Sequence, residues 1–519
     1  MSEKHANNEA NKQGVTITKE IIDGLMETIR NLYLVDDIPW VIGYSGGKDS
    51  TATLQLVWLA LSQLDEEHLK KPVHIINTDT LVESPVISKW VQNSFEIMRK
   101  AADDQRLPFK THRLTPEPDN TFWVNLIGRG YPFPRKKLRW CTDRLKIQPV
   151  NKFVKEQIAE HGEIIMVIGT RKAESARRAK TMAYYEKKRV RELLSPNQSM
   201  VNELVFSPLE DWNDNDVWVF LMQYKNPWGY SNKDLLTLYR GATADGECPL
   251  MVEKGLPSCG KSRFGCWVCT MVEKDKSMEA MIANDNEKVW MTPLLEFRNK
   301  FGDEEGDRER RSFRKMAGHL EGSYKQLHHG PYKKEIREEW LRDLLEIQKD
   351  INQNGPEEFA DLELITLPEL RNIRRIWVLN KHEFDDTLPK IYEEVMKKPF
   401  DDPEWIGSET FCSEEWDLLK GVVEELYPDE KLAFEMAYTL VDIENQSKDL
   451  SKRKNIMENL EGCIRQTFYR NEEDATKYYL DQMTRKKQLG GKYKEKALDS
   501  SYDELDGEDF NDEDEDCGE

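Results

Sequence analysis

The fold is decided by the stretch Val41–Ser50, which reads VIGYSGGKDS. Its apolar beginning predicts a buried strand, and the residues that follow the two glycines predict a helix. Adjacent glycines let the backbone turn tightly, so that several N–H groups point into one cavity. The helix N-terminus adds the positive end of its dipole, and Ser45, Lys48 and Ser50 add donors and a charge. The stretch therefore predicts an anion-binding loop between a strand and a helix.

The loop is not a Walker A motif, because Asp49 follows Lys48 where that motif has serine or threonine, and its first glycine is missing. The surrounding chain alternates short apolar segments with helical ones. This alternation predicts an α/β fold, a doubly wound parallel sheet with helices on both faces. The predicted strands are Val41–Tyr44, Val73–Asn77, Phe109–Leu114 and Ile164–Gly169, and the predicted helices between them are 50–63, 85–102 and 148–160.

Four ordered segments carry a family resemblance. Ser45–Ser50 resembles the SGGxDS loop of the N-type ATP pyrophosphatases, and His74–Pro85, Ile168–Arg178 and Pro208–Trp218 resemble segments of the phosphoadenylylsulfate reductase-like branch. The resemblance implies the adenine nucleotide alpha hydrolase-like fold. It also implies that Ser45, Gly46, Gly47, Lys48, Asp49 and Ser50 bind ATP, with Lys48 and Asp49 acting in catalysis.

Three residues outside this loop are candidates for the same site. Cleavage of ATP between its α and β phosphates develops negative charge on pyrophosphate, and arginine is the preferred bidentate partner of phosphate. We therefore expect Arg171, in a catalytic role, and Arg177 to bind ATP, assisted by Mg²⁺. Asp79 follows a predicted strand, where open parallel sheets bind ligands.

Half of the eight cysteines lie within 22 residues: Cys248, Cys259, Cys266 and Cys269. This spacing, closed by a CxxC, predicts a metal site, and both zinc and a 4Fe–4S cluster accept four thiolates. Cys141 lies apart from them, between Arg139 and the cations Arg144 and Lys146. These neighbours favour a reactive thiolate at Cys141, although a small packed residue beside Trp140 fits the pattern equally well.

The cysteine segments 246–249 and 257–270 resemble the insert of the DndC-type enzymes of DNA phosphorothioation, to which SspD is a close relative. This resemblance implies a 4Fe–4S cluster and the replacement of a non-bridging DNA phosphate oxygen by sulfur. It also implies three partners, which are DNA, other phosphorothioation subunits and a cysteine desulfurase. A sulfonucleotide reductase, a tRNA thiolation enzyme and a non-catalytic DNA-binding subunit with structural zinc remain the alternatives.

Composition divides the chain into five predicted segments. They are a disordered 1–14, a pyrophosphatase domain 15–240, an iron–sulfur segment 241–290, a helical region 291–496 and an acidic disordered tail 497–519. No run of 18 apolar residues is present, which argues against a transmembrane span, and the polar N-terminus lacks the apolar part of a secretion signal. We therefore expect a cytoplasmic protein.

Charge is distributed unevenly along the chain, whose formal net charge is −21. Residues 499–519 carry twelve carboxylates and no lysine or arginine, whereas residues 129–191 hold 18 lysines and arginines against 6 acids. With Trp140, Tyr184 and Tyr185 among them, these cations are suited to a DNA backbone. The acidic total therefore does not exclude a DNA substrate.

Deleting residues 499–519 should strengthen DNA binding, because the acidic tail competes with DNA phosphates for the basic stretch. The measurement is DNA affinity of the full-length and truncated chains across a salt series, and the difference should shrink as salt screens the tail. Equal affinities at low salt would contradict competition by the tail.

Overall fold

The structure is a computed structural model of the 519-residue chain. It describes residues 16–488 except 136–137, 192, 198–199, 244–263, 324–325, 404–410, 412, 429 and 449–454. The predicted disordered N-terminus, the acidic tail and two predicted metal ligands, Cys248 and Cys259, lie outside the described residues. No helix in the described ranges is long and apolar enough to cross a membrane.

Contacts divide the chain into two compact units. The first comprises Met1–Ser312 with Pro331–Trp416, and the second comprises Phe313–Gly330 with Asp417–Glu519. This division does not follow the segment boundaries expected from composition, which stay a prediction. The sheet, the phosphate loop and the described CxxC cysteines all belong to the first unit.

One six-stranded sheet forms the centre of the described part of the first unit, in the order β3-β2-β1-β4-β6-β5. Every pairing is parallel except that of β5 with β6. The four strands predicted from sequence are confirmed to within two residues, and β5 and β6 are additional. The strands span Trp40–Gly43 (β1), Val73–Thr78 (β2), Phe109–Leu114 (β3), Ile164–Val167 (β4), Ser195–Pro196 (β5) and Glu203–Phe206 (β6).

Helices cover both faces of the sheet, as the alternation predicted. The helices span Lys19–Leu34 (α1), Lys48–Leu61 (α2), Pro85–Asp104 (α3), Gln148–His161 (α4), Ala176–Glu186 (α5), Asp214–Gln223 (α6), Asn232–Gly241 (α7), Lys276–Asn284 (α8), Thr292–Gly302 (α9), Lys334–Asn354 (α10), Leu367–Arg375 (α11), Thr387–Met396 (α12), Ser413–Leu426 (α13), Lys431–Ser447 (α14), Ile456–Thr467 (α15) and Glu472–Gln488 (α16). The C-terminal region is therefore helical, as expected.

Alternate residues of β1 point into different cores, which shows that the sheet is doubly wound. Trp40 and Ile42 belong to the large core that includes α1, α2 and α3, whereas Val41 packs with Phe153 and Val154 of α4 on the opposite face. A strand turns successive side chains to opposite faces, and a parallel strand buried on both faces is apolar at every position. This burial explains the continuous apolar run that precedes the phosphate loop.

A second core joins the segment before Cys141 to the helices from α8 to α12. The indole N–H of Trp123 donates to the Leu364 carbonyl at 2.7 Å, and that of Trp377 donates to the Ile127 carbonyl at 3.0 Å. Buried indole N–H groups need such partners. Trp267, inside the CxxC motif, is buried in the same core. Helices as far as Met396 therefore support the cysteine segment.

The second unit has a small core formed by Leu327, Tyr469 and Ala475. Around it, Arg314 pairs with Glu435 at 2.7 Å and His329 pairs with Glu472 at 2.7 Å. His328 and His329 both lie outside the helices, and His329 is buried.

Gly169 allows the end of β4 to approach the phosphate-loop helix, and G169A tests that contact. An added Cβ would lie 2.8 Å from both the Asp49 carbonyl oxygen and Thr53 Oγ1. We expect G169A to lower the free energy of unfolding by about 1–3 kcal/mol, because overpacking displaces backbone. Urea unfolding followed by circular dichroism measures the change.

The control is G24A, within α1, where an added Cβ meets no atom within 4 Å. Replacing a helical glycine by alanine in open space should stabilise the protein by about 0.5–1 kcal/mol. Similar effects of the two substitutions would contradict the close approach at Gly169.

A nucleotide cavity beside buried thiols

The phosphate loop has the geometry that its sequence predicted. Gly46 has a φ of +74°, and a Cβ there would meet Val91 Cγ2 at 2.7 Å, so that only glycine fits. Gly47 caps α2 without a side-chain hydrogen bond. The Lys48 N–H donates to the Tyr239 hydroxyl at 3.1 Å, and the positive end of the helix dipole favours an anion beside the following N–H groups. The Ser45 N–H donates to Ser50 Oγ at 3.1 Å, which folds the loop back onto the first turn.

A cavity of about 740 Å³ opens at the carboxyl ends of β1, β2 and β4. We name it the nucleotide cavity after the ligand that the sequence resemblance implies. Ser45, Asp49 and Ser50 line it from the phosphate loop, and Asp79 lines it from the end of β2. The Asp79 carboxylate is buried, accepts from the Leu81 N–H at 2.9 Å and pairs with Arg113, which also lines the cavity. The structure thus brings Asp79 together with the phosphate loop at the edge where such sheets bind ligands.

Two buried cations and two partly exposed carboxylates form a charged cluster under the loop. Lys48 Nζ lies 2.8 Å from Asp49 Oδ2 and 3.1 Å from Asp214 Oδ1. Arg171 Nε lies 2.6 Å from Asp49 Oδ1, and its terminal nitrogen lies 2.6 Å from Asp214 Oδ1. Arg171 also donates to the Trp212 carbonyl at 3.2 Å. The cluster joins the first turns of α2 and α6 to the loop after β4.

The cluster places Arg171 beneath the cavity, and its binding of ATP stays a prediction. Arg171 is 2% exposed and does not line the nucleotide cavity among the described residues, because both carboxylates of the cluster hold its guanidinium below the loop. It fixes the orientation of Asp49, which does line the cavity. Burial opposes ionisation of Asp214, but Lys48 and Arg171 outweigh it and hold its pKa below the ordinary value. That stabilisation is present above the ordinary carboxyl pKa and is lost as pH falls through the lowered one.

The structure also places Arg177 outside this cavity, whereas its neighbour Arg178 lines it. Arg178 pairs with Glu174, a second lining residue. Consecutive residues of a helix project about 100° apart, so that only one of the two arginines at the start of α5 faces the nucleotide site. The sequence analysis named Arg177, whose binding of ATP stays a prediction, whereas the arginine that lines the cavity is Arg178.

The CxxC segment is attached by its backbone to the loop that follows β2. The Trp267 N–H donates to the Val82 carbonyl at 3.0 Å, and the Ser84 N–H donates to the Gly265 carbonyl at 3.4 Å. Glu83 therefore lies opposite Cys266, as a bridge partner. This pairing brings the cysteines to the rim of the nucleotide cavity, which Glu83 and Phe264 both line.

Side chains join the two sites as well. Glu83 Oε1 accepts from Thr80 Oγ1 at 3.1 Å and from the Cys266 thiol at 3.7 Å, and Lys146 Nζ lies 3.4 Å from it. Lys146 lines the nucleotide cavity. Burial raises the pKa of Cys266 well above its usual range, Glu83 adds to this, and Lys146 opposes it. In the polypeptide alone the thiol keeps its proton, which metal binding would displace.

Cys141, far away in sequence, lies close to the CxxC motif. It packs against the same core as Cys266 and interacts electrostatically with Cys269. Its pKa is raised, first by burial and then by Cys269, which favours the packed residue over the thiolate of the two alternatives that the sequence left open. One expected cation is also engaged elsewhere, because Arg144 donates to Asn125 at 2.8 Å.

Four residues of the site were missed or used differently in the sequence interpretation: Thr80, Glu83, Lys146 and Asp214. Glu83 and Asp214 lie inside segments that carried the family resemblance. The resemblance therefore pointed to these segments but did not indicate what the two side chains contact. Lys146 was noted only as a neighbour of Cys141. Its position beside Cys266 depends on a π-helical turn over Asp143–Ile147, a distortion that is frequent at functional sites.

Comparison with known proteins finds a related domain. Residues 39–271, which are less than half of the chain, match the model of the phosphoadenosine phosphosulfate reductase domain. This part of the chain is therefore similar to that domain. An uncharacterized protein of Methanocaldococcus jannaschii is 26% identical over 264 residues, which are 50% of this chain. The match spans 42% of the archaeal protein's own length.

Two solved structures resemble the chain. The phosphoadenylyl-sulfate reductase of Candida auris, in a phosphate complex, is 15% identical, covers 41% of this chain and 89% of its own, and has a TM-score of 0.25. The U34-tRNA thiolase NcsA of Methanococcus maripaludis, with its [4Fe-4S] cluster, is 15% identical, covers 55% of this chain and 80% of its own, and has a TM-score of 0.26.

R171M tests whether the charged cluster supports the phosphate loop. Methionine keeps the volume but leaves the two partly exposed carboxylates with one cation, and removing one partner of a partly buried charged pair costs about 1–3 kcal/mol. We expect the free energy of unfolding, measured in urea at neutral pH, to fall by that amount.

The control is R178M, which removes an arginine that pairs with Glu174 and is 43% exposed. An exposed pair contributes about 0–1 kcal/mol, so that R178M should be nearly as stable as the unsubstituted chain. Equal losses in the two variants would show that the cluster has no special structural role.

Proposed function

We propose that this chain is an ATP pyrophosphatase and sulfurtransferase. It activates a DNA backbone phosphate by adenylylation and supports the replacement of a non-bridging oxygen by sulfur. The observation that carries the proposal is the backbone pairing of Val82 and Ser84 with Gly265 and Trp267. Through this pairing a nucleotide cavity and buried thiols share the side chain of Glu83. Such proximity supports one reaction that uses both.

The nucleotide half of the reaction uses the phosphate loop. The N-terminus of α2 and the hydroxyls of Ser45 and Ser50 are suited to the pyrophosphate end of ATP. Lys48 adds positive charge beneath them. The carboxylates of Asp49 and Asp79 line the same cavity and are the oxygen ligands that Mg²⁺ prefers. The phosphate loop thereby stabilises the negative charge that develops on the departing pyrophosphate.

The sulfur half uses Cys266 and Cys269, with Cys141 beside them. Four thiolates suit zinc as well as a 4Fe–4S cluster, so that the choice of the cluster rests on the DndC-type resemblance of the cysteine segments. Cys248 and Cys259 are its further predicted ligands. When bound, the cluster would hold hydrosulfide-level sulfur for transfer.

The proposed reaction balances without net oxidation or reduction. A non-bridging oxygen of the acceptor phosphate attacks the α phosphorus of ATP, forming a P–O bond, and pyrophosphate leaves with the electrons of the broken bond. Hydrosulfide then attacks the acceptor phosphorus, AMP leaves with the bridging oxygen, and the hydrosulfide proton passes to solvent. Sulfur delivered as a desulfurase persulfide needs a thiol reductant to reach the hydrosulfide level.

The choice of DNA as acceptor rests on the DndC-type resemblance of the cysteine segments and on the basic stretch 129–191. Helix α5, within that stretch, has no buried residue, so that its cations are available to a polyanion. The other subunits of a phosphorothioation system and a cysteine desulfurase are the proposed partners.

The decisive experiment identifies the products formed from ATP under anaerobic conditions. The full chain, reconstituted with iron and sulfide, is incubated with ATP, Mg²⁺, DNA, a desulfurase, cysteine and a thiol reductant. We expect AMP and pyrophosphate, and phosphorothioate linkages detected by mass spectrometry of the digested DNA. K48M should lower pyrophosphate release at least tenfold, because it removes the lysine under the loop.

C266S provides the matched test of the sulfur half. It should lower phosphorothioate formation at least ten times more than AMP formation, and it should lower the iron content of the protein. Thiolated tRNA, or sulfite released from a sulfonucleotide, in place of modified DNA would overturn the DNA assignment. Equal losses of the two products in C266S would contradict the separation of nucleotide and sulfur chemistry.

A further inference from the structure

A second cavity, of about 630 Å³, lies beside the nucleotide cavity. Helix α5 forms one wall, and the strands β5 and β6 form another. The cavities share four lining residues: Ile168, Arg178, Asn197 and Val205. A ligand in the second cavity would therefore lie directly beside a bound nucleotide. The proposed function has no residue assigned to this space.

The second cavity is lined by more arginines than acids. Four arginines line it, Arg139, Arg177, Arg178 and Arg189, against the two acids Glu186 and Glu210. Hydroxyl groups add donors and acceptors at Thr170, Ser175, Thr181, Ser195 and Ser207. Such a lining suits the oxygens of a phosphodiester.

Among these arginines, Arg177 is the one whose charge is available. Arg189 is held by Glu210 at 2.8 and 3.0 Å, and Arg178 pairs with Glu174. Arg177 is exposed, and no residue in the described ranges hydrogen-bonds or ion-pairs with it. It lies in the first turn of α5, which contains no acidic residue, so that the helix dipole adds to its positive charge.

Aromatic rings follow at the other end of the same helix. Tyr185 lines the second cavity, and Tyr184 is 53% exposed with its ring centroid 5.2 Å from that of Tyr185. Unpaired bases stack on exposed aromatic rings, whereas bases inside a duplex are already stacked and paired. Cations at one end and rings at the other fit the backbone and bases of a single strand.

We propose that the second cavity binds the acceptor as single-stranded DNA, with Arg177 holding a backbone phosphate and Tyr184 and Tyr185 stacking on bases. The assignment of this strand as acceptor rests on the proposed function. The shared lining then places a phosphodiester oxygen next to the nucleotide, which is the juxtaposition that adenylylation requires. Arg177 is here a substrate-binding residue and not an ATP ligand.

The test compares R177Q with K180Q in binding a fluorescent single-stranded oligonucleotide, measured by anisotropy in the presence of a non-hydrolysable ATP analogue. Both substitutions remove one exposed cation from α5, but Lys180 lines neither cavity. R177Q should weaken binding about tenfold, since hydrogen bonds to charged groups are worth that factor or more. The logarithm of the binding constant falls with the logarithm of salt concentration, and R177Q should make this slope less steep by about 0.7. K180Q should change affinity less than about twofold.

T181M separates the cavity from general attraction of DNA. Thr181 lines the second cavity and not the nucleotide cavity, so that methionine would occupy part of the space without changing charge or adding an aromatic ring. It should weaken DNA binding. Because Thr181 is exposed, we expect the fold to be retained, and a thermal melt that matches the unsubstituted chain checks this. Normal DNA affinity in T181M, or equal effects of R177Q and K180Q, would overturn the assignment.

Further arms define the ligand and separate this inference from the proposed function. Stronger binding of a duplex, or of RNA of the same sequence, would overturn single-stranded DNA as the ligand. If R177Q lost as much affinity for ATP as for DNA, Arg177 would be assigned to the nucleotide cavity and not to the DNA site. Because binding is measured without turnover, the two proposals can fail separately. If the chain binds single-stranded DNA as expected but releases no pyrophosphate, only the proposed function is contradicted. If pyrophosphate is released but R177Q does not weaken DNA binding, only the assignment of the second cavity is contradicted.

Discussion

The charged cluster of Lys48, Asp49, Arg171 and Asp214 is the interaction on which the site depends. Lys48 and Arg171 are buried in it, and either cation would be costly to bury alone, because burial disfavours the charged form. Together the four side chains satisfy one another, and they come from three separate segments of the chain. The phosphate loop is therefore held in position only when α2, α6 and the loop after β4 are all in place.

A second constraint joins two chemistries that occupy different parts of the sequence. The residues after β2 pair through their backbone with the CxxC segment, so that the nucleotide cavity and the thiols meet at Glu83 and Lys146. Backbone pairing fixes relative position more closely than side-chain contact, because neither partner can change rotamer to escape it. Trp267 in the second core anchors the far side of this segment.

Much of the fold could be predicted from the sequence, because it depends on local patterns. The apolar run before Gly43, the two glycines and the following helix are consecutive, and each position has its own backbone requirement. The roles of the arginines could not be predicted in the same way. Arg171 is taken up by carboxylates, one of them 43 residues further along the chain, and Arg177 differs from Arg178 only in the face of α5 on which it lies.

The sequence by itself determined the parallel sheet and the glycine turn between β1 and α2, and it predicts a metal site at the clustered cysteines, since each of these follows from residue type and spacing within a short segment. Only the tertiary structure decided that Cys141 lies near Cys269 and that a second, arginine-lined cavity adjoins the nucleotide site. Both depend on contacts between residues far apart in the chain. Such contacts are set by packing around the shared cores, and they cannot be predicted from the pattern of residues within a short segment.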